Sequence, residues 1–332
     1  MLLSRTPDRN FDWESFLKEK DRRRKKTMGV LAVLLPGLLF LFFYLFQNRH
    51  YLVFSLLMLS CLVAAFVYNF ERRRPRAREV VLLASMTALT TCANEICAHT
   101  VPLHAGTTFV VLSGIGLGPE AGFLIGALSR FLCNFFDGQG PWTPWQMFAW
   151  GLIGYLSGLF FNRTERRNRM VKQSLAERLS LQKNQTFRAV AGPLLCILAF
   201  LTVGYLIFLF AGRRDESFFG WRVYAWGFAG MVAGGFVQRR RLPADVLTVT
   251  LFTFFSSLLL YGGIMNFSAM LMSTSPVDGA QVISLDALRT LYLTGLPYDA
   301  AHAGGAALCA FVFGDGILQR IQRIQIKFGI LL

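Results

Sequence analysis

Every fourth residue from Gly118 reads Gly118, Gly122, Gly126, Arg130 and Asn134, so three glycines, a guanidinium and an amide fall in one stripe along a helix. The surrounding run, GPEAGFLIGALSRFLCNFF, is otherwise apolar, which places a cation inside a segment of membrane character. A charge there is costly unless it is paired or wetted. Arg130 therefore faces either a carboxylate in a structural ion pair or a ligand in a cavity. Thr91, Glu95 and His99 are again four apart and lead into HTVPLHAG with His104; Glu95 lies at a depth similar to Arg130, and the two could neutralise each other. Tyr298, Asp299 and His302 share one turn of a later helix. For Asp299 the plain reading is capping and hydrogen bonding among helix ends. Imidazoles and carboxylates at one surface could hold a metal, but no HxxxH or HExxH spacing occurs, and neither metal nor cofactor is expected. No GxxxxGK[ST], GxSxG or paired-carboxylate signature is present either, so no catalytic residue is assigned.

The elements that must position these groups are membrane helices. Hydrophobic residues make up 54% of the 332, charged residues 16%, and the charges are bunched between long apolar runs. This is the pattern of an all-α polytopic membrane protein. The net charge of +15 comes from blocks abutting hydrophobic segments, as topology signals do, and does not point to nucleic acid. The six cysteines form no CxxC pair and read as packing residues.

Spans are expected at about 28–46, 51–70, 79–98, 105–118, 119–136, 145–162, 189–211, 219–237, 246–263 and 299–318, ten in all with the fourth short. With the N-terminus in the cytoplasm, 28 of the 34 Lys and Arg fall on the inner side, so both termini are expected to be cytoplasmic and the 137–144 loop external. Residues 1–27 place Phe11, Trp13, Phe16 and Leu17 ahead of a basic run, which fits an amphipathic segment on a lipid surface or a solvated tail. The chain then divides into two N-terminal helices with a basic linker (28–78), four helices (79–162), an inserted pair (163–245), and two last helices with a cytoplasmic tail (246–332).

The loop DGQGPWTPWQ joins directly to a glycine-laced helix. Its glycines and prolines shape a turn, Trp142 and Trp145 fall at the expected membrane interface, and Gly154 and Gly158 let a neighbouring helix come close. Shifted by 76 positions, Trp145, Phe148, Ala149, Trp150, Gly151, Gly154, Gly158 and Arg163 align with Trp221, Tyr224, Ala225, Trp226, Gly227, Gly230, Gly234 and Arg239. A partial duplication accounts for this register, and convergent helix-packing composition is the alternative.

REVVLLASMTALT, the run GPEAGFLIGALSRFLCNFFDGQGPWTPWQMFAWGLIGYLSGLFF, YGGIMNF and PYDAAHAGG resemble the S components of energy-coupling factor vitamin transporters, over about 79–162 and 246–318. DGQGPWTPWQMFAWG looks most like the cobalamin-type subgroup. The resemblance implies a six-helix core, no enzyme activity, capture of a vitamin such as cobalamin from outside the cell membrane, and partnership with a transmembrane T subunit and two cytoplasmic ATPase subunits. It maps a pocket onto Glu95, His99, His104, Arg130, Asn134, Asp137, Gln139, Trp142, Trp145, Gln146, Asn266, Tyr298, Asp299 and His302, and a T-subunit contact onto Ala84 and Ala88. Queuosine or another vitamin precursor would suit similar groups. An intramembrane enzyme using Glu95, His99, Asp299 and His302, or an ion-coupled carrier, are the readings from other classes.

Overall fold

The computed structural model describes residues 77–100, 104–161, 175–211, 218–237, 242–273 and 285–328, with some helical positions between Leu57 and Tyr68. The expectations for 1–27 and 28–46, most of 51–70, and the basic stretches 69–76 and 162–174 lie outside these residues. Helices account for the described elements: α1 (Ala77–Thr100), α2 (Ala105–Leu117), α3 (Pro119–Asp137), α4 (Thr143–Phe160), α5 (Leu175–Ala211), α6 (Trp221–Val237), α7 (Val246–Phe255), a π-helical segment (Ser256–Gly262) that runs into α8 (Gly263–Ser273), and α9 (Leu285–Phe328). Among the described residues one parallel bridge, Phe161 to Leu242, ties the end of α4 to the residues just before α7.

Among the described residues four stretches are long and apolar enough to cross a membrane: Ala77–His99, Ala191–Phe210, Val246–Met270 and Leu288–Gln325. The chain is thus a multi-pass membrane protein, and in such surroundings helices satisfy every backbone donor and acceptor internally. These stretches correspond to four of the ten expected spans, and the first two expected spans lie largely outside the described residues. α2 has only 13 residues, and α3 carries Glu120, Arg130 and Asp137 within its 19. The last helix also departs from expectation. It begins at Leu285, well before 299, and continues through the supposed tail to Phe328.

Local signals explain how α2, α3 and α4 are joined. Gly118 has φ of 108°, a conformation open mainly to glycine, and its N–H closes onto the Gly114 carbonyl at 2.9 Å. Pro119 then opens α3, where a missing N–H costs nothing. Gly138, at φ 100°, ends α3, and the loop turns into α4 at Thr143 and Pro144. α2 is rich in β-branched residues, yet all but Phe109 of its residues are buried, which holds it helical among its neighbours.

The glycine stripe of α3 packs on α4. A methyl at Gly122 would strike the Gly154 carbonyl and the Cα of Gly114; one at Gly126 would meet the Trp150 carbonyl; Gly158 lies against Pro119. Close backbone approach of three helices follows, with Val110, Val111, Leu112, Ile115, Trp150 and Ile153 forming the buried centre. α6 repeats part of this arrangement: Gly234 lies against Pro193 and Gly230 against Cys196 and Ile197 of the preceding α5. α5 turns Leu195, Leu198, Ile207, Leu209 and Phe210 outward, an apolar face suited to lipid.

Candidate functional site

One end of the helix bundle gathers the C-terminal ends of α1 and α3, the N-terminal ends of α2 and α4, the π segment, α8, and the stretch of α9 after Pro297. Tight packing of the stripe lower down fixes α3 against α4, and two turns further on the polar members of the stripe meet the start of α4. Arg130 Nε donates to Gln146 Oε1 at 3.1 Å, and Asn134 Nδ2 donates to the same oxygen at 2.8 Å. A guanidinium can only donate, so Gln146 must present its oxygen here, and Asn134 in turn must present its NH2. Asn134 Nδ2 also reaches Thr143 Oγ1 at 3.0 Å, and Thr143 Oγ1 donates to Gln139 Oε1 at 3.0 Å. The guanidinium carbon stands 5.4 Å from the centre of the Trp150 ring.

The ion partner of Arg130 is Asp137, at 3.0 Å, and not the candidate Glu95. Asp137 lies two turns along the same helix, within easy reach of a long side chain, whereas Glu95 is held on α1 by Asn94, whose Nδ2 donates to Glu95 Oε1 at 3.2 Å. Asp137 is 32% exposed, so this pair contributes little to stability and leaves the guanidinium oriented.

Opposite this group, His104 and His302 stack with ring centroids 4.0 Å apart, and Tyr298 meets His104 edge-on at 6.2 Å. Thr107 Oγ1 and His302 Nε2 are hydrogen-bonded at 3.2 Å, and Tyr261 from the π segment lies 4.8 Å from the His302 ring. π turns re-aim side chains that an α-helix would send elsewhere, here Tyr261. His104 lies in the connection just before α2. Burial, then the nearby Arg130 charge, lowers its pKa below the usual imidazole value, against a smaller opposing effect of Asp137.

Asp299 is not a helix cap, because α9 starts 14 residues earlier than the expectation placed it. Its Oδ2 accepts from Tyr224 at 2.5 Å and from Asn266 Nδ2 at 2.7 Å. Trp145 is buried within the bundle, edge-on to Phe267 at 6.0 Å. Trp142 stays partly exposed over Gly140. His99 is exposed, its Nδ1 spent on the Glu95 carbonyl of its own helix at 2.9 Å, and the structure does not bring it to the others.

Several buried polar atoms around this end have no hydrogen-bond partner among the described residues: Asn94 Oδ1, Asn134 Oδ1, Trp145 Nε1, Trp150 Nε1 and His302 Nδ1. Two are acceptors, two donors, and the imidazole nitrogen serves as either. Asn94, Thr143, Trp150, Tyr224 and Tyr261 escaped sequence reasoning as site residues. Asn94 stands next to Glu95, and Trp150 lies on the face that Gln146 begins, so helical spacing from residues already chosen carried the signal for both. No group of three or more His, Cys, Asp or Glu capable of holding a metal ion occurs among the described residues.

Residues 75–237, which carry α1 to α6 and the Arg130–Gln146 cluster, match the family model described as "ECF-type riboflavin transporter, S component". This region is similar to the S components of energy-coupling factor transporters. That is a transport family, not an enzyme family. The match takes in α5 and α6, the pair read from sequence as an insert, while α7 to α9, with Asn266, Asp299 and His302, lie beyond it. The chain is 33% identical over 73 residues to a UPF0397 protein of Aliivibrio salmonicida (strain LFI1238) and to another of Vibrio atlanticus (strain LGP32). Each alignment covers 20% of this chain, with 39% and 40% of those proteins, so the chain spans about two fifths of their length. No solved structure matches. None of these comparisons supports the cobalamin-type subgroup.

Proposed function

We propose that the chain is the substrate-binding component of an ATP-driven vitamin importer, that its substrate is riboflavin or a closely related flavin, and that it binds at the Arg130–Gln146–His302 end of the bundle. The observation that carries this reading is the set of buried atoms without partners beside an oriented guanidinium: Asn94 Oδ1, Asn134 Oδ1, Trp150 Nε1 and His302 Nδ1. A buried polar group left unsatisfied costs about 1–3 kcal/mol. A ligand that supplies both donors and acceptors recovers that cost at several atoms, and a flat heteroaromatic ring with carbonyl and imide edges does so. Tyr261 and the stacked His104 and His302 offer it flat faces. The riboflavin-type description of the matching model supports the same substrate class.

The chain has no phosphate-binding loop, so on this reading a T subunit and two ATPase subunits supply the work. Ala84 and Ala88 lie exposed on α1 between Val81 and Leu89, a small-residue track that another membrane helix can approach closely. The positive-inside count supports both termini in the cytoplasm and binding from outside.

Titration of riboflavin into the purified full chain, followed by quenching of flavin fluorescence, tests the proposal, with cyanocobalamin as competitor. Saturable riboflavin binding that Gln146→Ala and Arg130→Ala each weaken by about tenfold or more, roughly the loss of one charged hydrogen bond, is the expected result. Binding of cyanocobalamin and not riboflavin would return the substrate to the corrinoid class. Riboflavin binding untouched by either variant would move the site elsewhere.

A further inference from the structure

At the position of α6 that aligns with Phe148 in the 76-residue register, the chain carries Tyr224. The two aromatic rings differ by one hydroxyl, and in Tyr224 that hydroxyl donates to Asp299 Oδ2 at 2.5 Å. Asn266 Nδ2, from α8, donates to the same oxygen at 2.7 Å. The contact is sterically built on three sides. A methyl on Gly262 would lie 2.7 Å from Asp299 Oδ2, and one on Gly295 would lie 2.5 Å from Asn266 Oδ1. Tyr292 packs edge-on to Tyr224 with ring centroids 4.9 Å apart, and its own hydroxyl is spent on the Gly263 carbonyl at 2.6 Å.

Both donors converge on Oδ2, and among the described residues no group donates to Oδ1. Asp299 as a residue is only 7% exposed, and Oδ1 is the oxygen that keeps an opening to solvent. Among the described residues no cation is paired with the carboxylate; its two partners are a phenol and an amide. The same turn of α9 carries Tyr298 and His302 into contact with His104. Asp299 therefore stands beside the site, held by one oxygen, with the other open to a donor.

We propose that Asp299 is a ligand-contacting residue that accepts a hydrogen bond from an N–H group of the substrate, and that Tyr224 is the positioning residue that sets it. The α5–α6 pair then completes the binding site through one phenol. This rests on the placement of the substrate at this end of the bundle. For an oxidised flavin the matching group is the ring imide, the only N–H it carries.

The test uses the full chain with riboflavin and N3-methylriboflavin as probes, in wild type, Tyr224→Phe, Asp299→Asn and the double variant, each with a melting curve. Wild type should bind N3-methylriboflavin at least tenfold more weakly than riboflavin, and Asp299→Asn should lose most of that discrimination, because its amide can turn a donor or an acceptor to the ring. Tyr224→Phe should weaken riboflavin binding about tenfold with little change in melting, and the double variant should be no worse than Asp299→Asn, since Tyr224 acts through that residue. Equal binding of the two probes by wild type, or losses in the double variant that multiply, would overturn the proposal. Lower melting of Tyr224→Phe with riboflavin affinity unchanged would reduce its hydroxyl to a structural contact and also overturn it. If wild type binds no riboflavin, the flavin assignment fails separately; the positioning role is then decided by the infrared carboxylate bands that Asp299→Asn removes. Bands shifted by Tyr224→Phe sustain it, and bands left in place overturn it.

Discussion

Gly122→Ala should destabilise the chain and loosen the site together. The added methyl would stand 2.6 Å from the Cα of Gly114 and 2.8 Å from the carbonyl carbon of Gly154, with the Gly154 oxygen closer still. All three obstacles are backbone atoms, so no side chain can swing aside, and α3 must move away from both α2 and α4. Overpacking of this kind costs about 1–3 kcal/mol, offset by about 0.5–1 kcal/mol from replacing a helical glycine with alanine. Gly304→Ala supplies the control, because nothing lies within 4 Å of a methyl there and only the gain remains. The midpoint of unfolding by sodium dodecyl sulfate should fall for Gly122→Ala and hold or rise for Gly304→Ala. Arg130 lies eight residues along α3 from Gly122, about 12 Å at 1.5 Å per residue, so parting the helices at the stripe also lengthens its contact with Gln146. Riboflavin affinity should fall with stability. A Gly122→Ala variant with the stability of Gly304→Ala would refute the argument that backbone contact holds α3 to α4.

Replacing Ala84 and Ala88 by Leu should leave substrate affinity and melting nearly unchanged while blocking co-purification with the T subunit, since both residues are exposed on α1; loss of binding and melting together would instead make them internal packing. The lowered pKa of His104 gives a pH dependence of definite sign. As pH falls below about 6.5, the unfolded imidazole takes up a proton that the folded one resists, so stability should drop from there downward, and His104→Gln should flatten that limb of a melting-against-pH curve. A cysteine placed at Gly140 should react with an impermeant reagent in intact cells and one at Lys327 should not; the reverse pattern would invert the orientation taken from the Lys and Arg count.

How much of this was legible in the sequence depends on the range of the contact concerned. The Gly118–Asn134 stripe could be read from spacing alone, because one helix period determines which residues share a face, and the structure finds that face on α4. The boundaries of α2, α3 and α4 were legible for a similar reason: Gly118, Pro119, Gly138 and Pro144 act on the backbone beside them. The partner of Arg130 was not. Depth along parallel apolar runs favoured Glu95, but a guanidinium on a flexible stem chooses among carboxylates by rotamer reach, and Asp137 was nearer on the same helix. Nor could the start of the last helix be seen, because Pro297 resembles a boundary in one dimension while packing of Tyr292 and Gly295 against α8 carries the helix through it.

The same distinction explains why the site straddles the matched and unmatched parts of the chain. Arg130, Asn134 and Gln146 come from a hairpin whose members are neighbours in sequence, so a family model spanning 75–237 contains the whole cluster. His302 and Asp299 arrive from α9, where His302 bonds Thr107 and Asp299 bonds Tyr224, contacts separated by 195 and 75 residues. Pairings at that range leave no periodic trace in a single sequence. What they do leave is chemistry: a carboxylate and two imidazoles in otherwise apolar surroundings must find donors and acceptors somewhere, and the phenol that distinguishes Tyr224 from Phe148 is one of the few such groups that α6 can offer.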